Sequence, residues 1–245
     1  MAAIASLHCI SNTIVDQPAI KHLAKEEEAY FPYLLTENNI DYLHVSCNQA
    51  AKLFKNKFPT KKKIFCQNIG IPLQAFPTNQ TISNKKPVIV VASRNRPRKR
   101  IDLLTEIAKH NKKINFIVCG RGTMYESAEK NIISHGLVCK KELHNIMHKS
   151  DFTLSLSVHE IFANSLTEAT CCGSIPIYPK IDPIQNDLFN KIGIPIKENE
   201  FISLNNKIKN LDILNLKLKA VKYAKENFDA SKNTFALFKK IKIFN

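Results

Sequence analysis

A chain of 245 residues is long enough to bury a sizeable core, either as one large α/β domain or as two unequal ones. Its hydrophobic fraction of 44% and charged fraction of 23% exclude disordered and collagen-like classes. The net charge of +15, from 36 Lys and Arg against 21 Asp and Glu, points to anionic partners: phosphates, nucleic acid or an acidic membrane surface.

In chain order, a short strand is expected over 3–8, then a helix over 19–31 stopped by Pro32, a strand over 42–46, a basic helix over 49–58 and a strand over 63–68. Residues 77–86 (PTNQTISNKK) are polar and aperiodic and read as a linker. From Pro87 short apolar runs alternate with amphipathic stretches, the rhythm of βαβ units. Strands are expected over 88–92, 114–119, 133–138, 152–157, 174–178 and 194–196. Helices are expected over 101–111, 123–130, 141–149, 165–172 and 184–191. A helix over 216–227 and a last one starting at Asp229 or Ser231 close the chain. The fold class is therefore α/β: a Rossmann-like doubly wound parallel sheet over 87–227, an incomplete N-terminal α/β segment over 1–76, and a C-terminal helix over 228–245 that packs back toward that segment.

Seven cysteines (Cys9, Cys47, Cys66, Cys119, Cys139, Cys171, Cys172) without C-x-x-C pairs imply buried free thiols in a reducing, cytoplasmic compartment. The first residues lack the basic and long apolar regions of a signal peptide, and no apolar run approaches the ~18 residues of a membrane span. Membrane contact is expected to be peripheral, at the inner membrane surface.

Ligands of doubly wound sheets bind at the carboxyl ends of the strands. After the strand over 88–92 comes Ser93-Arg94-Asn95-Arg96-Pro97-Arg98-Lys99-Arg100, which lacks G-x-G-x-x-G and so argues against a dinucleotide cofactor. Five cations among residues 94–100 suit a diphosphate, since arginine offers a planar fork and lysine a mobile point charge. A solvated basic loop or an RNA-phosphate patch is the competing reading. The fourth strand of that sheet leads into Glu160 and, eight positions on, Glu168. At about 100° per residue these would lie about 80° apart on one helix, so they bracket a ligand only if Glu160 lies in the loop and Glu168 in the helix. The helix start between them offers free amides to an anion. Against this stands a capping box, Ser165-x-x-Glu168, in which the glutamate merely satisfies a backbone N–H.

The blocks VASRNRPRKRIDLL, INFIVCGRGTMYE, SHGLVCKKELHNIMHKSDFTLSLSVHEIFANSLTEATCCGSIPI and NFDASKNTFALF resemble, in order and spacing, the donor domain of retaining GT-B glycosyltransferases of the glycosyltransferase 4 family, with a weaker match over 41–76. The resemblance implies transfer of a hexosyl group from a UDP- or GDP-sugar to a glycan or lipid-linked acceptor, with retention and with no metal or other cofactor. Residues 87–227 become the nucleotide-sugar-binding domain and residues 1–76 a partial acceptor-side segment. Arg94 and Lys99 match the residues that bind the donor diphosphate, Glu160 the glutamate that meets the transferred sugar, and Glu168 the one that holds the ribose. Phe162, Ala163, Asn164 and Ser165 fall where backbone approaches sugar or phosphate. Gly120, Gly122, Gly136 and Val138 fall in loops lining the nucleotide, and His8 at a strand end facing the cleft. The sequence departs from the family where Ile161, Ala163 and Arg100 replace usual glycines, and in its short N-terminal segment.

A short segment implies an exposed sheet edge and an uncovered apolar face, so a homo-oligomer or a partner subunit is expected to supply the missing strands. A catalytically impaired donor-binding subunit and a basic nucleic-acid-binding α/β protein are the alternative functions. The two glutamates beside the basic loop would repel a nucleic-acid backbone, so no nucleic-acid partner is expected. Lys52, Lys55, Lys57, Lys61, Lys62 and Lys63, interleaved with Leu53, Phe54 and Phe58, make a stretch that either lies on an anionic membrane or is an ordinary solvated face. His144 and His148, four apart without further ligands, read as structural or surface residues, and Tyr125 and His159 as further residues near the cleft.

Overall fold

The computed structural model describes residues 4–6, 42–68, 70–73, 76, 86–123, 129–157, 160 and 162–240. The helix expected over 19–31, most of the helix over 123–130, nearly all of the polar connection at 77–86, and His8, Tyr125, His159 and Ile161 lie outside them. The elements are β1 (Ile4–Ser6), β2 (Tyr42–Val45), α1 (Asn48–Lys57), β3 (Lys63–Cys66), β4 (Val88–Ala92), α2 (Leu104–His110), β5 (Asn115–Cys119), β6 (Ile132–Gly136), α3 (Lys140–Lys149), β7 (Phe152–Leu154), α4 (Asn164–Cys171), β8 (Ile175–Pro179), α5 (Pro183–Phe189), β9 (Ile194–Ile196), α6 (Leu204–Ile208), α7 (Ile213–Asn227) and α8 (Ala230–Lys240). Tight 3₁₀ turns at Pro97–Lys99, Ile101–Leu103 and Glu198–Ser203 join some of them.

The main sheet is six-stranded and wholly parallel, in the order β6-β5-β4-β7-β8-β9. Parallel strands need crossovers, and the helices of those crossovers cover both faces, which is why strands such as VIVVA and IPIYP are apolar throughout. Alternate residues of β4 show the two layers. Ile89 and Val91 pack with Leu104, Ile107, Leu204 and Ile208 on one face, and Val90 packs with Met147, Ala169 and Cys172 on the other. Each fully buried aliphatic side chain here contributes roughly 1.5–3 kcal/mol. Lys217, wholly buried in α7, satisfies the end of α3 by donating to Ser150 O at 2.7 Å and His148 O at 3.3 Å, and burial lowers its pKa.

The N-terminal segment forms a second parallel sheet, β1-β2-β3. The uncovered apolar face expected of it is not present at β2: Leu43, His44 and Val45 are all buried. Leu43, Phe54 and Phe58 join one cluster with Leu166, Leu188, Phe189 and Phe228, so the segment packs directly on helices of the main sheet. The same cluster takes up Phe54 and Phe58, the apolar face of α1. Lys52 and Lys55, on the other side of α1, are exposed. Ile71 N donates to Phe228 O at 2.7 Å and Ala230 N to Ile71 O at 3.2 Å, tying the start of α8 to the stretch after β3. Among the described residues no helix is long and apolar enough to cross a membrane.

The thiols are only partly as expected. Cys47, Cys119, Cys171 and Cys172 are buried and free, but Cys66 is half-buried and Cys139 exposed.

Candidate functional site

From β4 the chain winds to β5 and β6 on one side of the sheet, and from β7 to β8 and β9 on the other. The direction switches between β4 and β7, where the loops leaving the carboxyl ends diverge and open a crevice. Residues 93–100 follow β4 and residues 155–163 follow β7, so both candidate loops flank that switch point.

The first loop is fixed by its neighbour after β5. Ser93 N donates to Cys119 O at 2.9 Å and Asn95 N to Arg121 O at 3.0 Å. Gly120 permits this approach, since a Cβ there would stand 1.7 Å from Ser93 O. Gly122 lies beside Asn95, and Gly120 N donates to Gly136 O at 2.6 Å. These glycines thus shape the basic loop. Val138 is half-buried against the cluster of Val90, Cys119, Met147, Ala169 and Cys172.

Lys99 ends the 3₁₀ turn at Pro97–Lys99 and donates from Nζ to Glu160 Oε1, while Arg98 Nη1 lies 3.8 Å from Glu160 Oε2. The Lys99 and Glu160 side chains are only 19% and 10% exposed, so the pair is sheltered from solvent screening. Arg94 is exposed and has no ion-pair partner among the described residues. Two sequence candidates, Lys99 and Glu160, are therefore brought into contact across the crevice, with Arg94 on the same loop.

Glu160 lies in the loop and Glu168 in α4, the arrangement that bracketing requires. The capping box does not form: α4 starts from Ala163, so Ser165 is already its second residue and its side chain caps nothing. Glu168 turns instead to α3, with Oε1 3.2 Å from Lys140 Nζ and Oε2 3.5 Å from His144 Nε2. The second approach lacks hydrogen-bond geometry, and His144 Nε2 is buried without a partner. The Phe76 ring stacks on the His144 ring, with centroids 4.6 Å apart. Phe162 and Ser165 are half-buried and Asn164 is exposed at the start of α4. Ala163 and Arg100 are the two non-glycine residues with left-handed backbone among the described ones, at φ 49° and 52°. Both stand where the resemblance expects glycine.

Behind Glu160 stands Asp182, the N-cap of α5. Its Oδ2 accepts from Glu160 N at 2.8 Å and from Gln185 Nε2 at 2.7 Å, and its Oδ1 from the Ile184 and Gln185 amides at 2.9 and 3.0 Å. Burial pushes the Asp182 carboxyl up to about 6 against the pull of those four bonds. Asp182, Gln185, His144 and Phe76 escape sequence reasoning as site residues, whereas Lys140 ends the segment 136–140 that the resemblance places along the nucleotide. Only Asp182 carries a local signal, an Asp before Pro183 that marks a helix start.

Among the described residues no group of three His, Cys, Asp or Glu side chains is placed to hold a metal ion. A separate polar cavity of about 260 Å³ opens at the carboxyl ends of β2 and β3, lined by residues including Ser46, Asn68, Asp187, Tyr223 and Glu226. Two carboxylates in that lining disfavour a phosphate, so the basic crevice and not this cavity suits an anionic ligand.

The family model for glycosyl transferases group 1 matches residues 74–227. Over an alignment of 130 residues that covers 48% of this chain and 29% of the relative's length, the chain is 28% identical to the GPI3 subunit of phosphatidylinositol N-acetylglucosaminyltransferase from Saccharomyces cerevisiae. Among solved structures, TarM superposes with a TM-score of 0.76 at 19% identity, over 97% of this chain and 50% of that one. HepE from Anabaena, solved with UDP and glucose, superposes at 0.78 with 14% identity, over 99% of this chain and 72% of that one. Sucrose-phosphate synthase from Thermosynechococcus elongatus superposes at 0.77 with 14% identity, over 97% of this chain and 66% of that one. These likenesses show an α/β fold with the parallel, Rossmann-like sheet of GT-B glycosyltransferases.

Proposed function

Because the chain belongs to the glycosyl transferases group 1 family, we propose that it is a hexosyltransferase that moves a sugar from a UDP- or GDP-sugar to a glycan or lipid-linked acceptor. The observation that carries the reading is the Lys99–Glu160 pair at the switch point of the sheet. A cation for the diphosphate and a carboxylate for the sugar are thereby juxtaposed where a nucleotide-sugar bends. Arg94 and Lys99 neutralise the diphosphate and stabilise the departing nucleotide without a metal. Glu160 meets the transferred sugar. Glu168, on the far side of the helix start, holds the ribose hydroxyls, with Phe162, Ala163, Asn164 and Ser165 between them. Gly120, Gly122, Gly136 and Val138 bound the nucleotide side. The anomeric configuration is retained, the acceptor entering on the face from which the phosphate leaves.

UDP is the nucleotide to test first, since HepE is solved with UDP and glucose. A lipid-linked acceptor is favoured by the phosphatidylinositol in the yeast relative's name. That relative is itself a subunit, which supports a second reading in which this chain binds the donor and a partner supplies part of the acceptor site.

The test is donor cleavage by the purified protein with UDP-glucose, UDP-N-acetylglucosamine and GDP-mannose, with and without candidate acceptors. Lys99→Ala and Glu160→Ala are each expected to lower turnover by about 100-fold or more. Unchanged turnover in both variants removes the site assignment. Donor binding without turnover, restored by a co-purified partner, selects the second reading.

A further inference from the structure

We propose that Asp182 and Gln185 are positioning residues that latch the backbone of Glu160 at the crevice, so that its carboxylate stays in place once Lys99 turns to the donor. The proposal rests on the reading of Glu160 as the residue that meets the transferred sugar.

Glu160 is held in two independent ways. Its side chain is held by Lys99 and Arg98, and its backbone N–H by Asp182 Oδ2 at 2.8 Å. A donor diphosphate competes for the cations and so releases the side-chain restraint at the moment when the position of the carboxylate matters. The backbone restraint is untouched by that exchange. Gln185 extends it, because its Nε2 donates both to Asp182 Oδ2 at 2.7 Å and to Ser157 O at 2.9 Å. Ser157 and Glu160 are thus both tied by their backbone to the first turn of α5, through side chains that are 1% and 0% exposed. Burial makes the latch exacting, since an N–H orphaned there finds no water to replace its partner.

Asp182 also caps α5, and one substitution separates the two duties. Asp182→Asn keeps an oxygen for the Ile184 and Gln185 amides, and asparagine is a good N-cap. It replaces the other oxygen by an NH₂ that cannot accept from Glu160 N or Gln185 Nε2. The experiment compares wild type and Asp182→Asn in UDP affinity by calorimetry, in kcat for donor cleavage, and in hydrogen exchange of the peptide containing Glu160. The expected result is a kcat lowered by about tenfold or more, a UDP affinity within about threefold, and faster exchange at Glu160 while the first turn of α5 stays protected. A kcat within about twofold of wild type overturns the proposal. Should Asp182→Asn not fold, Gln185→Met preserves bulk and the cap while removing both Nε2 bonds, and Asp182→Ala with Gln185→Met removes the latch entirely; an unchanged kcat with unchanged exchange at Glu160 in these variants overturns the proposal. A wild-type protein that neither binds nor cleaves a nucleotide-sugar brings down the underlying donor reading instead. Exchange at Glu160 then still decides the latch, unchanged exchange in the variant sinking it.

Discussion

Lys99 and Glu160 neutralise each other across the crevice between the loops after β4 and β7, which makes each the competitor of the other's ligand. If Lys99 serves the diphosphate, the glutamate opposes nucleotide binding in the free protein and serves only when a sugar is present. Glu160→Gln is therefore expected to bind UDP more tightly, by about fivefold from a pair worth about 1 kcal/mol, while donor turnover collapses. Lys99→Ala loses both. Calorimetric titration with UDP beside a turnover assay checks the split, and UDP binding weakened in Glu160→Gln contradicts it.

The two ends of the proposed site separate by ligand. Glu168, paired with Lys140 and facing His144, is assigned to ribose, so Glu168→Ala is expected to weaken UDP by about tenfold and to leave inorganic pyrophosphate unaffected. Lys99→Ala weakens both ligands. Equal losses of pyrophosphate and UDP in Glu168→Ala would return that residue to a structural role, tying α4 to α3.

Ala163 and Arg100 carry left-handed backbone that glycine adopts at no steric cost. Ala163 is 5% exposed and its methyl belongs to the core cluster with Leu166 and Phe189, so Ala163→Gly sets about 0.8 kcal/mol of lost burial against about 1–2 kcal/mol of relieved strain and is expected to raise Tm slightly, by at most about 2–4 °C. Ala163→Val, β-branched at the same φ, is expected to destabilise by more than that. At Arg100 glycine relieves the same strain but removes the ion pair with the 68%-exposed Glu198, a contact of small worth. Thermal melts of the three variants decide, and a lower Tm for Ala163→Gly refutes the strain argument.

The main sheet is legible in the sequence because parallel strands buried on both faces are written as unbroken apolar runs between turn residues. The strand from Val88 ends at Ala92 as read, whereas β7 stops at Leu154, three residues before the expected end, because the chain leaves the sheet there to build the loop that carries Glu160. The helix Leu204–Ile208 is not legible, since LNNKI is too short to show a period. Lys99 and Glu160 are legible one at a time, as a basic loop and a loop carboxylate. Their contact is not, because 61 residues separate them and only the neighbouring of β4 and β7 joins them. Asp182 and His144 stay hidden for the same reason: their partners come from other crossovers.

Asp182 gives the site a pH dependence whose two consequences run in opposite directions. Burial raises its carboxyl from the ordinary 3.8 to about 6, and the folded chain therefore takes up this proton more readily than the unfolded one. Its contribution to stability is fully present below about 3.8 and is lost as pH rises through about 6. Against Asp182→Asn, which does not titrate, wild type should gain on the order of 1–3 kcal/mol between pH 7 and pH 4. The proposed latch behaves the other way. The carboxylate accepts four N–H groups, and a proton on either oxygen turns one accepting position into a donor and leaves an N–H unmatched. Turnover should accordingly fall as pH drops through about 6 although the fold is firmer there, and the inflection should vanish in Asp182→Asn. Parallel melts and kcat profiles over that range test both signs. A wild-type profile flat through pH 6 would mean that the loop carrying Glu160 does not depend on the charge of Asp182.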